Sequence, residues 1–245
     1  MTREPSVPVK TIILMILVLL SACTAVKIPR EYREPQNRIV VAPIEIFNVD
    51  VPFVGWGMLF GVAGVLIEDR VTAPRRAAMS QNIREAWGDW RPEAVLRDKL
   101  AEELTKRGRN VIQEGEIVPL PEKIREQLNP RNENVEAARL WYDPDITVFD
   151  HSPVINRYSP TAIMETGYDN FYVGKGYSIF AILIKVVDPH TNNLIARKRA
   201  VARITMEKYE LKDPIQLRQF VADFKTEFEK AVAKAAPKML DDIGL

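Results

Sequence analysis

The chain is 245 residues long and carries 34 Lys and Arg against 33 Asp and Glu, a formal net charge of +1. With no basic block beyond a solvated helix face, nucleic acid has no electrostatic footprint here. The single cysteine excludes an intrachain disulfide and any cysteine-based zinc site, so the fold must stand on its apolar core.

The amino terminus begins with a positive segment containing Arg3 and Lys10. An unbroken apolar run of ten residues follows, from Thr11 to Leu20. A helix needs about 20 residues to cross a hydrocarbon core of roughly 30 Å, so this run is too short to span one. It has the length of the apolar region of a secretory signal. The run ends in Leu20-Ser21-Ala22-Cys23, which resembles the lipobox of bacterial lipoprotein precursors. Small residues at Ser21 and Ala22 let a peptidase close on the backbone before the cysteine. The resemblance implies that residues 1–22 are a signal peptide that is removed. It also implies that the Cys23 thiol takes a diacylglycerol, whose chains, palmitate among them, contribute about 0.8 kcal/mol per buried CH₂. Thr24, where an aspartate would favour inner-membrane retention, leans the expectation towards the periplasmic face of the outer membrane. The mature chain would have 223 residues and no net charge, enough for one sizeable domain.

Residues 23–37 are polar, with Pro29 and Pro35, and read as a lipid-anchored tether. The domain is expected over 38–245. Its first strand is predicted at 38–46, apolar enough for burial on both faces, with Pro43 marking a bulge or end. Residues 51–67 form an uncharged segment with four glycines. Gly55 and Gly57 do not complete a dinucleotide fingerprint, because Phe60 stands where the third glycine belongs. Gly57 and Gly61 make a small-xxx-small pair. Three readings stay open for the segment: a buried helix, a self-association or partner surface, and shallow membrane insertion.

A charged, helix-prone stretch runs over 75–87. The clearest helix covers about 92–107, where Leu96, Leu100 and Leu104 recur every fourth residue between Pro92 and Gly108. A short strand is predicted at 110–113, short helices at 121–128 and 133–141, and an alternating strand at 145–155. The loop 158–176 that follows is rich in tyrosine and glycine. Tyr168, Phe171 and Tyr172 are its candidate partner surface, the alternative being a long hairpin loop packed on its own sheet. Strands at 177–187 and 194–205 flank an Asp-Pro-His-Thr-Asn-Asn turn at 188–193. A long amphipathic helix runs from Pro214 to about 240, capped by Asp213, with Phe220, Val221, Phe224, Phe228 and Val232 on one face. This order predicts a single α/β domain with helices flanking a mixed sheet.

Several devices in this order carry a resemblance. A valine-rich first strand precedes a helix ending in Leu104-Thr105-Lys106-Arg107-Gly108. An alanine-rich helix from Ala137 runs into Asp145-Ile146-Thr147-Val148, and a hairpin carries Val187-Asp188-Pro189-His190-Thr191-Asn192-Asn193. Together they resemble the α/β domain of bacterial envelope lipoproteins such as the curli-secretion channel, the TolB amino-terminal domain and the activators of penicillin-binding proteins. Asn192 departs from the glycine usual in that turn, and 51–67 is unlike the channel's alternating transmembrane strands. The resemblance implies a periplasm-facing lipoprotein that binds or scaffolds a protein partner in envelope assembly without catalysis, cofactor or metal. An oligomeric component of an export or secretion machine is the second expectation, and an envelope hydrolase the third. For the hydrolase, neighbouring Asp150 and His151 in a strand would point to opposite faces and form no dyad.

Overall fold

The computed structural model describes residues 26–45, 78–128, 133–173 and 177–245. Its strands are β1 (Arg38–Pro43), β2 (Asn110–Gln113), β3 (Ala162–Val173), β4 (Tyr177–Val187) and β5 (Leu194–Thr205). The helices are α1 (78–87), α2 (Pro92–Lys106), α3 (Glu122–Arg125), α4 (Glu133–Tyr142), α5 (Ser152–Tyr158) and α6 (Pro214–Ile243). One five-stranded sheet has the order β2-β1-β3-β4-β5. β1 lies parallel to β2 and β3, and β3, β4 and β5 run antiparallel. The sheet is therefore mixed and helix-flanked, as expected, within a single α/β domain.

Parity along the strands divides the core. Ile39 and Val41 of β1 face one side, with Met164 of β3 and Phe180, Ile182, Ile184 and Val186 of β4. α2 and α6 cover that side. α2 buries Leu96, Leu100 and Leu104, one turn apart, after Pro92 in its first turn. Gly108 takes φ +72 just beyond its end, a conformation that costs glycine little. The Asp213 carboxylate accepts from the Ile215 and Gln216 amides and caps α6. α6 then buries Phe220, Phe224, Phe228 and Val232 along one stripe and continues to Ile243, slightly beyond the predicted end. On the other side, Val40, Ala42, Ile163 and Val187 pack with Val154 of α5. Ile44 and Leu183 pack with Trp141 of α4 and with Phe149. β1 is buried on both faces, which accounts for its continuous apolar run.

Three expectations are corrected. The strand predicted at 145–155 is absent: Ile146 makes one isolated bridge to Asn193, and 152–158 is helical. Pro153 suits a first helical turn and cannot donate to a ladder. The place beside β1 is taken instead by β3, which occupies most of the segment expected to be a loop. The free tether does not extend to residue 37. Val26 and Arg197 exchange backbone hydrogen bonds at 3.2 and 3.3 Å, so the chain is already paired to the edge of β5. Ile28 is buried and donates to the Ile243 carbonyl at 2.8 Å, and the Tyr32 hydroxyl donates to Asp188 at 2.6 Å.

Candidate interaction surface

Among the described residues, α4 and α5 pack on the side of the sheet away from α2 and α6, over Leu183, Ile163 and Val187. Trp141 lies against Gly167, where an added Cβ would sit 3.1 Å from the indole ring, so a side chain there would displace it. Beyond Gly167, towards the β3–β4 connection, the outward side chains of β5 are exposed. Arg199, Val201 and Arg203 stand at alternate positions, and Val201 is 61% exposed. Their register partners on β4 are Leu183, Ala181 and Ile179. Arg203 lies over the Tyr177 ring at 5.3 Å. Tyr177 stacks on Tyr172 with centroids 5.8 Å apart. Arg199 pairs with Asp169 at 3.0 Å, and burial raises the Asp169 carboxyl above its ordinary range while Arg199 opposes that rise. The result is a half-buried tyrosine pair, a guanidinium held on an aromatic face and an exposed valine. Aromatic residues and arginine are enriched at protein interfaces because they bring large, rigid, amphipathic contact area.

Of the predicted partner surface, only Tyr172 lies on this face. Tyr168 is 6% exposed with its hydroxyl donating to the Pro92 carbonyl, and Phe171 is 1% exposed. Both belong to the main core. The register shift between Asp169 and Tyr172 is the reason: an irregularity there changes parity, so Tyr168 and Phe171 share a face although they are three residues apart. Gly57, Gly61, Cys23 and the lipobox residues Leu20, Ser21 and Ala22 lie outside the described residues. Tyr177 is among the aromatics that mark the 158–176 region in the sequence, whereas Arg199, Val201, Arg203 and Ile179 are not among the sequence candidates. The alternation Arg197, Arg199, Val201, Arg203 is the signal that could have found the β5 face.

Under α4 the same side of the sheet holds a buried polar cluster. Glu165 and Lys185 are register partners on β3 and β4, and both are 0% exposed. Glu165 Oε1 accepts from the Thr147 hydroxyl and pairs with His151 Nε2 at 2.7 Å. Lys185 Nζ donates to the Trp141 carbonyl at 2.6 Å and the Ile146 carbonyl at 2.7 Å. Burial draws the Lys185 ammonium below its ordinary pKa, and the Glu165 charge opposes that shift. Each member fastens the loop between α4 and α5 to the sheet. The His151 and Glu165 side chains are 1% and 0% exposed, so the pair is sealed from solvent.

A cleft of about 760 Å³ opens beside the Trp87–Pro92 turn. Its walls mix Arg84, Arg91 and Arg125 with Glu45 and Glu85, which selects no single ligand charge. Among the described residues no group of three or more His, Cys, Asp or Glu is placed to hold a metal. Among the same residues no helix is long and apolar enough to cross a membrane.

No family model matches this chain, and no curated protein does. Several solved structures show a slight likeness. A PelC dodecamer from Paraburkholderia phytofirmans is 7% identical, with a TM-score of 0.35, over 88% of this chain and 94% of that one. Protein XCC0632 from Xanthomonas campestris is 7% identical, with a TM-score of 0.37, over 89% and 91%. Lipoprotein GNA1162 from Neisseria meningitidis is 12% identical, with a TM-score of 0.30, over 79% and 99%. Likeness this slight transfers neither family nor function, and the resemblance to the curli-secretion, TolB and activator group rests on sequence motifs alone.

Proposed function

We propose that this protein is a lipid-anchored, non-catalytic binding module of the bacterial envelope. In this reading residues 1–22 are removed and acyl chains on Cys23 hold the domain at the periplasmic face of the outer membrane. The domain's work is to hold a protein partner during envelope assembly. The observation that carries the binding role is the exposed outward side of β5, where Arg199, Val201 and Arg203 reach solvent, Val201 is 61% exposed and Arg203 lies over Tyr177. Anchoring confines that face to a membrane surface and raises its effective concentration towards partners there. The sealed His151–Glu165 pair serves the fold and takes no substrate.

The test is a photo-crosslinker placed at Val201 in living cells, with and without Tyr177→Ala and Arg203→Ala together. Removing two anchoring residues worth at least ~2 kcal/mol is expected to lower capture by about 30-fold. The melting temperature should fall by less than about 5 °C, because Arg203 is exposed and Tyr177 is only half-buried. Unchanged capture would refute the assignment of the face. A product of twice the chain's mass would mean that the partner is a second copy.

A further inference from the structure

In the lipoprotein reading, the acylated Cys23 lies three residues before Val26, the first paired residue among those described. Three residues of fully extended chain span at most about 11 Å, so the backbone of Cys23, the point of attachment, stays within that distance of Val26. Val26 does not move freely, because it exchanges both backbone hydrogen bonds with Arg197 at the edge of β5. Two residues later Ile28 is buried and bonded to the end of α6.

The surface around this entry point is unusual for the molecule. Val26 is 38% exposed and Ile146 is 55% exposed, and they are two of the four exposed large hydrophobics among the described residues. Both lie at the same end of β5: Val26 bridges Arg197, and Ile146 bridges Asn193. Arg197 joins them, since its guanidinium donates to the Asp143 carbonyl, pairs with Asp145 at 3.4 Å and lies over the Tyr142 ring at 6.0 Å. Lys27 and Arg30 are exposed beside the entry. Aliphatic side chains next to an arginine, a lysine and a tyrosine suit the boundary between phospholipid headgroups and acyl chains, where a side chain can be apolar along its stem and polar at its tip.

We infer that the corner formed by Val26, Ile146 and Arg197 rests on the phospholipid surface, so that the acyl anchor orients the domain as well as retaining it. This rests on the lipoprotein reading proposed above. The contact is apolar more than electrostatic, because Arg197 is already paired with Asp145 and the Asp143 side chain adds another negative charge. The interaction face at Tyr177 and Arg203 then lies roughly 20 Å further along β5, six residues at about 3.4 Å each, clear of the entry point.

The test uses the full lipidated protein in vesicles of phosphatidylethanolamine and phosphatidylglycerol that contain a headgroup spin-labelled lipid. A fluorophore is attached at Ile146→Cys or, on the opposite edge strand β2, at Gln113→Cys, four strand spacings or roughly 19 Å away. The lipidated Cys23 sulfur does not react with the label. Quenching is expected to be at least twofold stronger at 146 than at 113 and unchanged in high salt. Inserting about ten Gly and Ser residues between Cys23 and Val26 should bring the two positions towards equality while the protein still floats with vesicles. Equal quenching without the insertion, or stronger quenching at 113, would overturn the orientation while leaving the anchor intact. Failure to float would instead overturn the anchor, and the orientation with it.

Discussion

Lys185→Met is expected to lower the melting temperature by roughly 6–20 °C, the equivalent of about 3–5 kcal/mol in a domain of this size. The reason lies in what the ammonium holds. Its hydrogens meet two backbone carbonyls, of Trp141 at the end of α4 and of Ile146 in the following loop. Methionine fills the space but donates nothing, so both carbonyls lose their lysine donor and the buried Glu165 loses the cation opposite it. The lowered pKa of Lys185 does not argue against this, because it compares charged with neutral lysine, and both keep hydrogens to donate. It does predict a pH signature. The folded protein holds the Lys185 proton less tightly than the unfolded chain, whose value is near the ordinary 10.5. Stability from this residue therefore rises with pH between the lowered value and 10.5, and the methionine variant loses that rise. A melting temperature within about 2 °C of the parent would show that the loop does not depend on the cluster.

Phe228→Ala should cost about 3–5 kcal/mol, in the range for removing a large aromatic from a packed core. Phe228 is fully buried on α6, with ring centroids 4.8 Å from Phe180, 5.3 Å from Trp90, 5.6 Å from Tyr168 and Phe224, and 5.7 Å from Phe171. These rings come from α6, β3, β4 and the turn before α2, so one truncation opens a cavity between four parts of the chain. Ile215 on the same helix is 69% exposed. Ile215→Ala should change stability by less than about 0.5 kcal/mol. Denaturant unfolding of the two variants separates a helix held by its buried stripe from one held by helical propensity. Equal effects would contradict the packing described here.

The elements legible in the sequence are those with a strong period and clear punctuation. α2 shows leucines every fourth residue between Pro92 and Gly108. α6 shows a phenylalanine stripe after Asp213, and the β4–β5 hairpin shows two apolar strands around the 188–193 turn. β3 was hidden because Gly167 weakens its pattern and the irregularity after Asp169 reverses its parity. That same reversal made two core aromatics, Tyr168 and Phe171, look like a recognition loop. Residues 145–155 alternate like a strand, but Thr147 and His151 serve a polar cluster whose other members, Glu165 and Lys185, lie on strands brought together only by the fold. The interaction face is partly legible: Tyr172 and Tyr177 stand out among neighbouring aromatics, whereas Arg203 and Val201 depend on which side of β5 faces away from α2 and α6. The pairing of Val26 with Arg197 has no local signal, since residues 24–37 have the polar, proline-bearing composition of a linker.

The intact mass of the protein extracted from bacterial membranes bears most directly on the proposed anchoring. The expected species is a chain that begins at Cys23, lacks residues 1–22 and carries acyl chains through the cysteine, and Cys23→Ala is expected to yield an unmodified protein released from the membrane. A mature chain that retains residues 1–22, or one with a free thiol at residue 23, would contradict that anchoring.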